Sequence, residues 1–205
     1  MSQFKFKNII LCGFRATGKS TIAKALARKL GWQMIEMDRV LEQKAGMSIS
    51  QLTRQGKDWD KFRNMEHNLL VELLNLDDVV ISAGGGVGVN AQTGDQNYDV
   101  ITAAAKVGLL TEASTLVLVL TATPEIIKKR LQVQQRLTLK SRPILNSQNN
   151  TKSTQAQDEL ENIVNDSLLT FLERKSLYDR LSSKQLDTGA NSIDTIVQQI
   201  INLIL

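Results

Sequence analysis

The chain has 205 residues, with 25 Lys and Arg against 21 Asp and Glu, one His, one Cys and 42% hydrophobic residues. That length suits a single domain with one sizeable core, and so apolar a chain with a formal charge of only +4 excludes global disorder. Cys12 has no partner within the chain, which excludes a disulfide scaffold and fits a reducing compartment. The strongest apolar run, Leu116 to Leu120, is strand-length and far short of the ~20 residues that span a bilayer. The apolar stretch from Asn8 to Cys12 behind a basic N-terminus is too short for a secretory signal. A soluble, cytoplasmic protein with no membrane partner is expected. Lys and Arg form no block, and none of the five Phe, two Tyr and two Trp residues alternates with basic residues as a nucleic-acid stacking platform would. A small anionic ligand accounts for the basic pI of about 9.2.

In chain order, Phe6 to Cys12 reads as a strand, and Thr21 to Leu30 puts Ile22, Ala25, Leu26 and Leu30 on one helical face. Gln33 to Met37 is a second strand. Helical patterns follow from about Asp38 to Ala45, Ser48 to Arg54 and Trp59 to Leu76. The last of these aligns Phe62, Met65, Leu69 and Leu73. Val79 to Ser82 is a third strand and stops at Gly84-Gly85-Gly86. Between Gly88 and Leu110 the pattern is weakest, with helix expected near Val100 to Val107. Thr115 to Thr121 has the apolar middle of a buried parallel strand. Thr123-Pro124-Glu125 opens a helix with a cap, a first-position proline and an acid at the positive dipole end. Asn146 to Gln157 is polar and aperiodic, a loop. Asp158 to Arg180 is helical, Lys184 to Thr188 a short strand, and Ser192 to Leu205 a closing amphipathic helix. Alternating β and α elements predict a three-layer α/β domain around a parallel sheet.

Gly13-Phe14-Arg15-Ala16-Thr17-Gly18-Lys19-Ser20 matches G-x-x-x-x-G-K-[ST] in full. It follows a strand and runs into a helix, the context in which this loop holds a nucleoside triphosphate. Its glycines let backbone N–H groups turn inward around a phosphate, and the helix N-terminus adds positive potential. Lys19 is placed to reach the β/γ oxygens and the Ser20 hydroxyl to ligate Mg2+. Gly13, Ala16, Thr17, Gly18, Lys19, Ser20 and Thr21 are therefore the expected ATP-binding residues. No Asn-Lys-x-Asp motif for reading guanine is present, and the chain is short for a motor ATPase. A small-molecule or nucleotide kinase leads.

The other motifs together resemble the shikimate kinase family, in order and over nearly the whole chain. Glu36-Met37-Asp38 stands where the family has Asp-x-Asp. Phe62-Arg63-Asn64-Met65-Glu66 matches its Phe-Arg-x-x-Glu, and Gly84-Gly85-Gly86 its triple glycine. Arg142-Pro143-Ile144-Leu145 is similar to its Arg-Pro-Leu-Leu lid segment, and Glu173-Arg174-Lys175-Ser176-Leu177-Tyr178 to its Glu-Arg-x-x-Leu-Tyr. The resemblance implies a single P-loop kinase domain over 1–205, with a five-stranded parallel sheet in order 2-3-1-4-5. A substrate-binding helical region at about 38–76 and a lid at about 136–157 go with it. It implies transfer of the ATP γ-phosphate to the 3-hydroxyl of shikimate, in aromatic amino-acid biosynthesis, by a monomer using Mg2+.

The residue chemistry agrees with those roles. A hydroxylated carboxylic acid needs bidentate guanidinium, for which Arg63 and Arg174 are the candidates, with Glu66 holding Arg63; a surface ion pair is the plainer reading of that couple. Asp38 is placed to accept a hydrogen bond from the reacting hydroxyl, or simply to cap the helix that follows it. Gly84, Gly85 and Gly86 allow close backbone approach to a ligand and dihedrals other residues avoid, or form only a flexible turn. Ser82 stands where it can meet a metal's water shell. Lys19, Asp38 and Arg142 are the catalytic set, with Arg142 stabilising charge on the transferred group from the lid. In the family an arginine before the lid packs on adenine, a place for Arg136 or, alternatively, Arg130. Ser20 and Glu36 are the metal residues, the latter through water.

Departures from the family are a Glu at 36 in place of the usual Asp, and Ala16 where many members have Gly, tolerable with helical dihedrals. Segments 88–112 and 146–158 exceed what a compact member needs. A gluconate- or nucleotide-kinase-like enzyme, or a catalytically silent nucleotide-binding module, are the alternatives. His67 reads as structural and Cys12 as a small core residue. Trp32 and Trp59 read as packing, with a pocket-wall role open to Trp59, four residues before Arg63.

Overall fold

A computed structural model describes residues 5–53, 59–87, 115–138, 156–181 and 184–205; for residues 60, 135–138, 156–160, 177 and 180 it describes the backbone course alone. The elements are β1 (Asn8–Cys12), α1 (Lys19–Leu30), β2 (Gln33–Glu36), α2 (Met37–Ala45), α3 (Ile49–Leu52), α4 (Asp60–Leu73), β3 (Val79–Ser82) and β4 (Thr115–Thr121). They continue with α5 (Pro124–Thr138), α6 (Ala156–Leu181), β5 (Gln185–Asp187) and α7 (Ile193–Ile204). The sheet is five-stranded, in order β2-β3-β1-β4-β5. All four strand pairs are parallel.

Strand alternation divides the core between the two sheet faces. Ile9, Leu11, Val80, Leu116, Leu118 and Leu120 join Ile22 and Leu26 of α1 and Ile196, Ile200 and Ile204 of α7. On the other face Ile10, Cys12, Ile81, Val117 and Val119 join Leu41, Phe62, Leu70, Ile127, Leu131, Phe171 and Tyr178 from α2, α4, α5 and α6. This is the three-layer arrangement the sequence predicts. β1 is buried along its whole length and delivers Gly13 at the carboxyl edge of the sheet, where ligands bind in folds of this class.

β1 starts two residues later than expected, at Asn8, and α1 and α6 start two residues earlier, at Lys19 and Ala156, and boundaries differ at α2, α4 and α3 as well. Met37 begins α2 rather than ending β2; it is fully buried, and Asp38 lies in the helix's first turn, so it is not the helix cap. α4 ends at Leu73, short of Leu76. There the Asn8 side-chain amide takes the carbonyls of Leu74 at 3.1 Å and Leu76 at 2.9 Å, an alternative to further helix. α3 stops at Leu52. The predicted helix near Val100 to Val107 and most of the Asn146 to Gln157 loop lie outside the described residues. None of the described helices is long and apolar enough to cross a membrane.

Candidate active site

The site begins with the loop between β1 and α1. At Gly13, with φ +133°, an added Cβ would sit 2.4 Å from the Leu120 carbonyl oxygen, so the close approach of the loop to β4 requires glycine. Gly18, φ 92°, takes the N-cap position of α1. Thr17 fastens the turn by donating from Oγ1 to Phe14 O at 2.7 Å. Lys19 Nζ donates to Gly13 O at 2.8 Å and Phe14 O at 2.9 Å, which holds the ammonium inside the loop. Ala16 corrects one expectation. Its φ of 64° is left-handed, not the right-handed helical value at which alanine is free of strain.

The Ser20 hydroxyl donates to Glu36 Oε1, and Ser82 Oγ lies 3.5 Å from Ser20 Oγ. The extra methylene of Glu36, relative to Asp, therefore still leaves its carboxylate beside the P-loop serine. Ser20, Thr21, Glu36 and Asp38 line a small cavity of about 110 Å³ that also takes in Lys19 and Ala16.

A second cavity, about 290 Å³, lies beyond it and is walled by Arg63, Glu66, Trp59, Phe62, Arg174 and the three glycines. Arg15, Glu36, Asp38 and Gly85 belong to both. Arg63 Nη1 pairs with Glu66 Oε2 at 2.5 Å, and Glu66 is only 1% exposed. This is a buried pair, not the surface pair that spacing alone allowed. The Trp59 and Phe62 rings each lie 5.1 Å from the guanidinium carbon, so the head of Arg63 is held by charge and by aromatic faces. Arg63 Nε is buried and has no hydrogen-bond partner among the described residues.

Gly84 and Gly86 are required by space and not by dihedrals, while a Cβ on Gly85 would lie 3.3 Å from Arg15 N, tight but not excluded. None has the left-handed φ expected of them, yet a Cβ on Gly84 would fall 2.9 Å from both Asp38 Oδ1 and Glu66 Oε1. One on Gly86 would fall 2.7 Å from Arg63 Nη2. The Gly85 carbonyl accepts from the buried Tyr178 hydroxyl, one α6 turn beyond Arg174. Burial pushes the Tyr178 hydroxyl well above the usual phenol range, against the opposing charge of Arg174. Burial likewise pushes the Cys12 thiol up to about 12, with Lys19 acting the other way.

Asp38, Arg63, Arg174, the three glycines, Glu36, Ser20, Thr21, Ala16, Gly18 and Lys19 thus meet around two adjoining cavities, with Gly13 and Thr17 shaping the loop behind them. Arg142 lies outside the described residues, as does the side chain of Arg136. Arg130 stands between the P-loop and the turn after β5, with its guanidinium donating to Ala16 O and Thr188. Arg15 was not singled out by the sequence as a site residue. It occupies a free position of the loop motif, where spacing says nothing about a role.

Residues 15–205 match the family model described as "Shikimate kinase". The chain is 33% identical to a shikimate kinase of Pelotomaculum thermopropionicum over 97% of its own length and 95% of that protein's. It is 31% identical to a shikimate kinase of Geobacter sulfurreducens over 95% and 88%. Among solved structures it is similar to the shikimate kinase of Bacteroides thetaiotaomicron, with a TM-score of 0.67, 25% identity and coverage of 96% and 97%. The fold is shared with a shikimate kinase from Acinetobacter baumannii solved in complex with shikimate, with a TM-score of 0.69, 24% identity and coverage of 97% and 92%. With its P-loop, its parallel sheet and its paired cavities, this chain belongs to the shikimate kinase family.

Proposed function

We propose that this protein transfers the γ-phosphoryl group of ATP to the 3-hydroxyl of shikimate. The observation that carries the reading is the shared wall. Asp38 and Glu36 line both the cavity containing Lys19 and Ser20 and the cavity containing Arg63 and Arg174. Bound on either side, a triphosphate and a hydroxy acid would meet at Asp38. In that reading Gly13 to Thr21 cradle the phosphates, and Lys19 turns from the loop carbonyls to the β/γ oxygens. Arg63, pre-oriented by Glu66, and Arg174 take the carboxylate; Gly84, Gly85 and Gly86 let the substrate approach the backbone. Asp38 accepts the hydrogen bond of the reacting hydroxyl, orients it in line and takes up its proton as the O–P bond forms and the bond to the leaving β-phosphate oxygen breaks.

Glu36 and Ser82 each lie within reach of the Ser20 hydroxyl, and the three are hard oxygen donors of the kind that suits Mg2+ beside phosphate. Bound there, Mg2+ would neutralise charge on the β- and γ-phosphates. Arg142 completes the site from a lid at about 136–157, and Arg136 or Arg130 serves the adenine. The chain acts as one kinase domain, a cytoplasmic monomer with these two small-molecule substrates, without nucleic acid or membrane.

A coupled assay of ADP release from Mg-ATP, with and without shikimate, tests the proposal when the product is identified. Shikimate-dependent turnover is expected. Asp38→Asn should lower it by about 100-fold or more while leaving ATP binding in place. Bound ATP with no response to shikimate would overturn the substrate.

A further inference from the structure

Ala16 is one of only two non-glycine residues with a left-handed backbone among the described residues, and it lies in the loop that has to fit phosphate. For alanine that conformation is disfavoured relative to its right-handed alternatives, so a contact from outside the loop that fixes its carbonyl bears directly on the loop's shape. The Ala16 carbonyl accepts a hydrogen bond from Arg130 Nη1 at 3.2 Å, across a sequence separation of 114 residues. The same nitrogen lies 3.0 Å from Thr188 Oγ1, and Nη2 donates to Thr188 O at 2.7 Å. Thr188 is buried, and its hydroxyl lies 2.8 Å from Thr17 O and 3.0 Å from Thr121 O. Its backbone N–H donates to Thr121 O at 2.9 Å. Two consecutive P-loop carbonyls, Ala16 and Thr17, are therefore fixed to the turn after β5, one through a guanidinium and one through a hydroxyl.

We propose that Arg130 is a positioning residue for the phosphate loop, which ties the strained Ala16 carbonyl to Thr188 and so keeps the loop in its phosphate-binding shape. The guanidinium suits this task because its donors lie in one plane and span acceptors on two segments, which a lysine ammonium does less well. The tether acts on the loop backbone and is separate from any packing of Arg130 on adenine. It rests on the reading of this loop as a nucleotide site, not on the identity of the phosphate acceptor.

The test is a double-mutant cycle read by calorimetric titration of Mg-ADP. Arg130→Met is expected to weaken Mg-ADP binding about ten-fold, the loss of charge-assisted hydrogen bonds at a partly buried site. In an Ala16→Gly background the same change should cost at least about three-fold less than it does in wild type, because glycine takes the left-handed conformation without a tether. Arg130→Lys, which keeps the charge and most of the stem, should fall between wild type and Arg130→Met. A loss of equal size in both backgrounds would overturn the proposal and assign Arg130 to direct contact with the nucleotide. Wild-type affinity in Arg130→Met, or in Arg130→Lys should the Met variant fail to fold, would overturn it as well. Because Mg-ADP is the probe, absence of shikimate phosphorylation would count against the proposed substrate and leave this test intact.

Discussion

At Gly86 the added methyl of an alanine would lie 2.7 Å from Arg63 Nη2 and 3.0 Å from Nη1. The guanidinium cannot easily yield, since Glu66 binds it on one side and the rings of Trp59 and Phe62 flank it. Gly86→Ala should therefore displace the Arg63 guanidinium, the proposed carboxylate clamp, by a fraction of an ångström to an ångström. Misplacement on that scale costs up to about 100-fold. The expected result in steady-state kinetics is a shikimate KM raised at least ten-fold with the ATP KM unchanged, since Lys19 and Ser20 line only the other cavity. Equal rises in both would show that the glycine supports the fold of the edge rather than the clamp. Residues such as Lys19, Arg63 and Gly84 could be read in the sequence because each sits in a motif whose internal spacing carries its meaning. Arg15 could not be assigned that way, since it fills a position its motif leaves open, and Trp59, for which a pocket-wall role was one of two readings, stands outside the Phe62 to Glu66 motif. The tie between Arg130 and Ala16 was illegible for another reason: it joins residues 114 positions apart, and only the folded sheet brings them together.

The elements were easier to read than the contacts between them. β1, β3 and β4 are buried on both faces and appear in sequence as unbroken apolar runs. α7 is announced by its amphipathic period and its cap. Its boundary rests on Ser192, whose Oγ accepts from the Thr195 N–H at 3.1 Å, while Ile196, Val197, Ile200 and Ile204 face the sheet. Ser192→Ala removes that cap but keeps the buried face, so the cost should be that of one cap, about 1 kcal/mol. For a chain of this size that lowers the melting midpoint by about 2–4 °C, measurable by thermal denaturation. A drop several times larger would mean that the turn leading into α7 depends on Ser192 for more than its cap. Boundaries slipped where a distant group intervened, as at Leu73, where Asn8 of the neighbouring strand takes up the carbonyls that follow the helix.

Across the whole molecule, the face of the sheet that carries the site also buries two protons whose release folding opposes. Cys12 and Tyr178 both lie in that layer, and burial raises the pKa of each. For Cys12 the rise is from an ordinary 9.0 to about 12. Between those values the unfolded chain has released the thiol proton while the folded chain retains it. More protons bound in the native state means that stability falls as pH rises through this window, and below pH 9 the thiol has no effect on the slope. The slope for one such proton is about 1.4 kcal/mol per pH unit. Tyr178 contributes with the same sign, starting a unit higher at its ordinary value of 10.0. Urea unfolding of wild type and Cys12→Ala between pH 8 and 10.5 separates the two. Cys12→Ala will be less stable overall, because it removes buried volume beside the P-loop strand. Its decline should nevertheless be shallower than wild type's from pH 9 upward, leaving the fall above pH 10 to Tyr178. Parallel curves through pH 9 to 10 would show that the thiol ionises as readily in the folded chain as in the unfolded one, and that the sheet does not shield it from water.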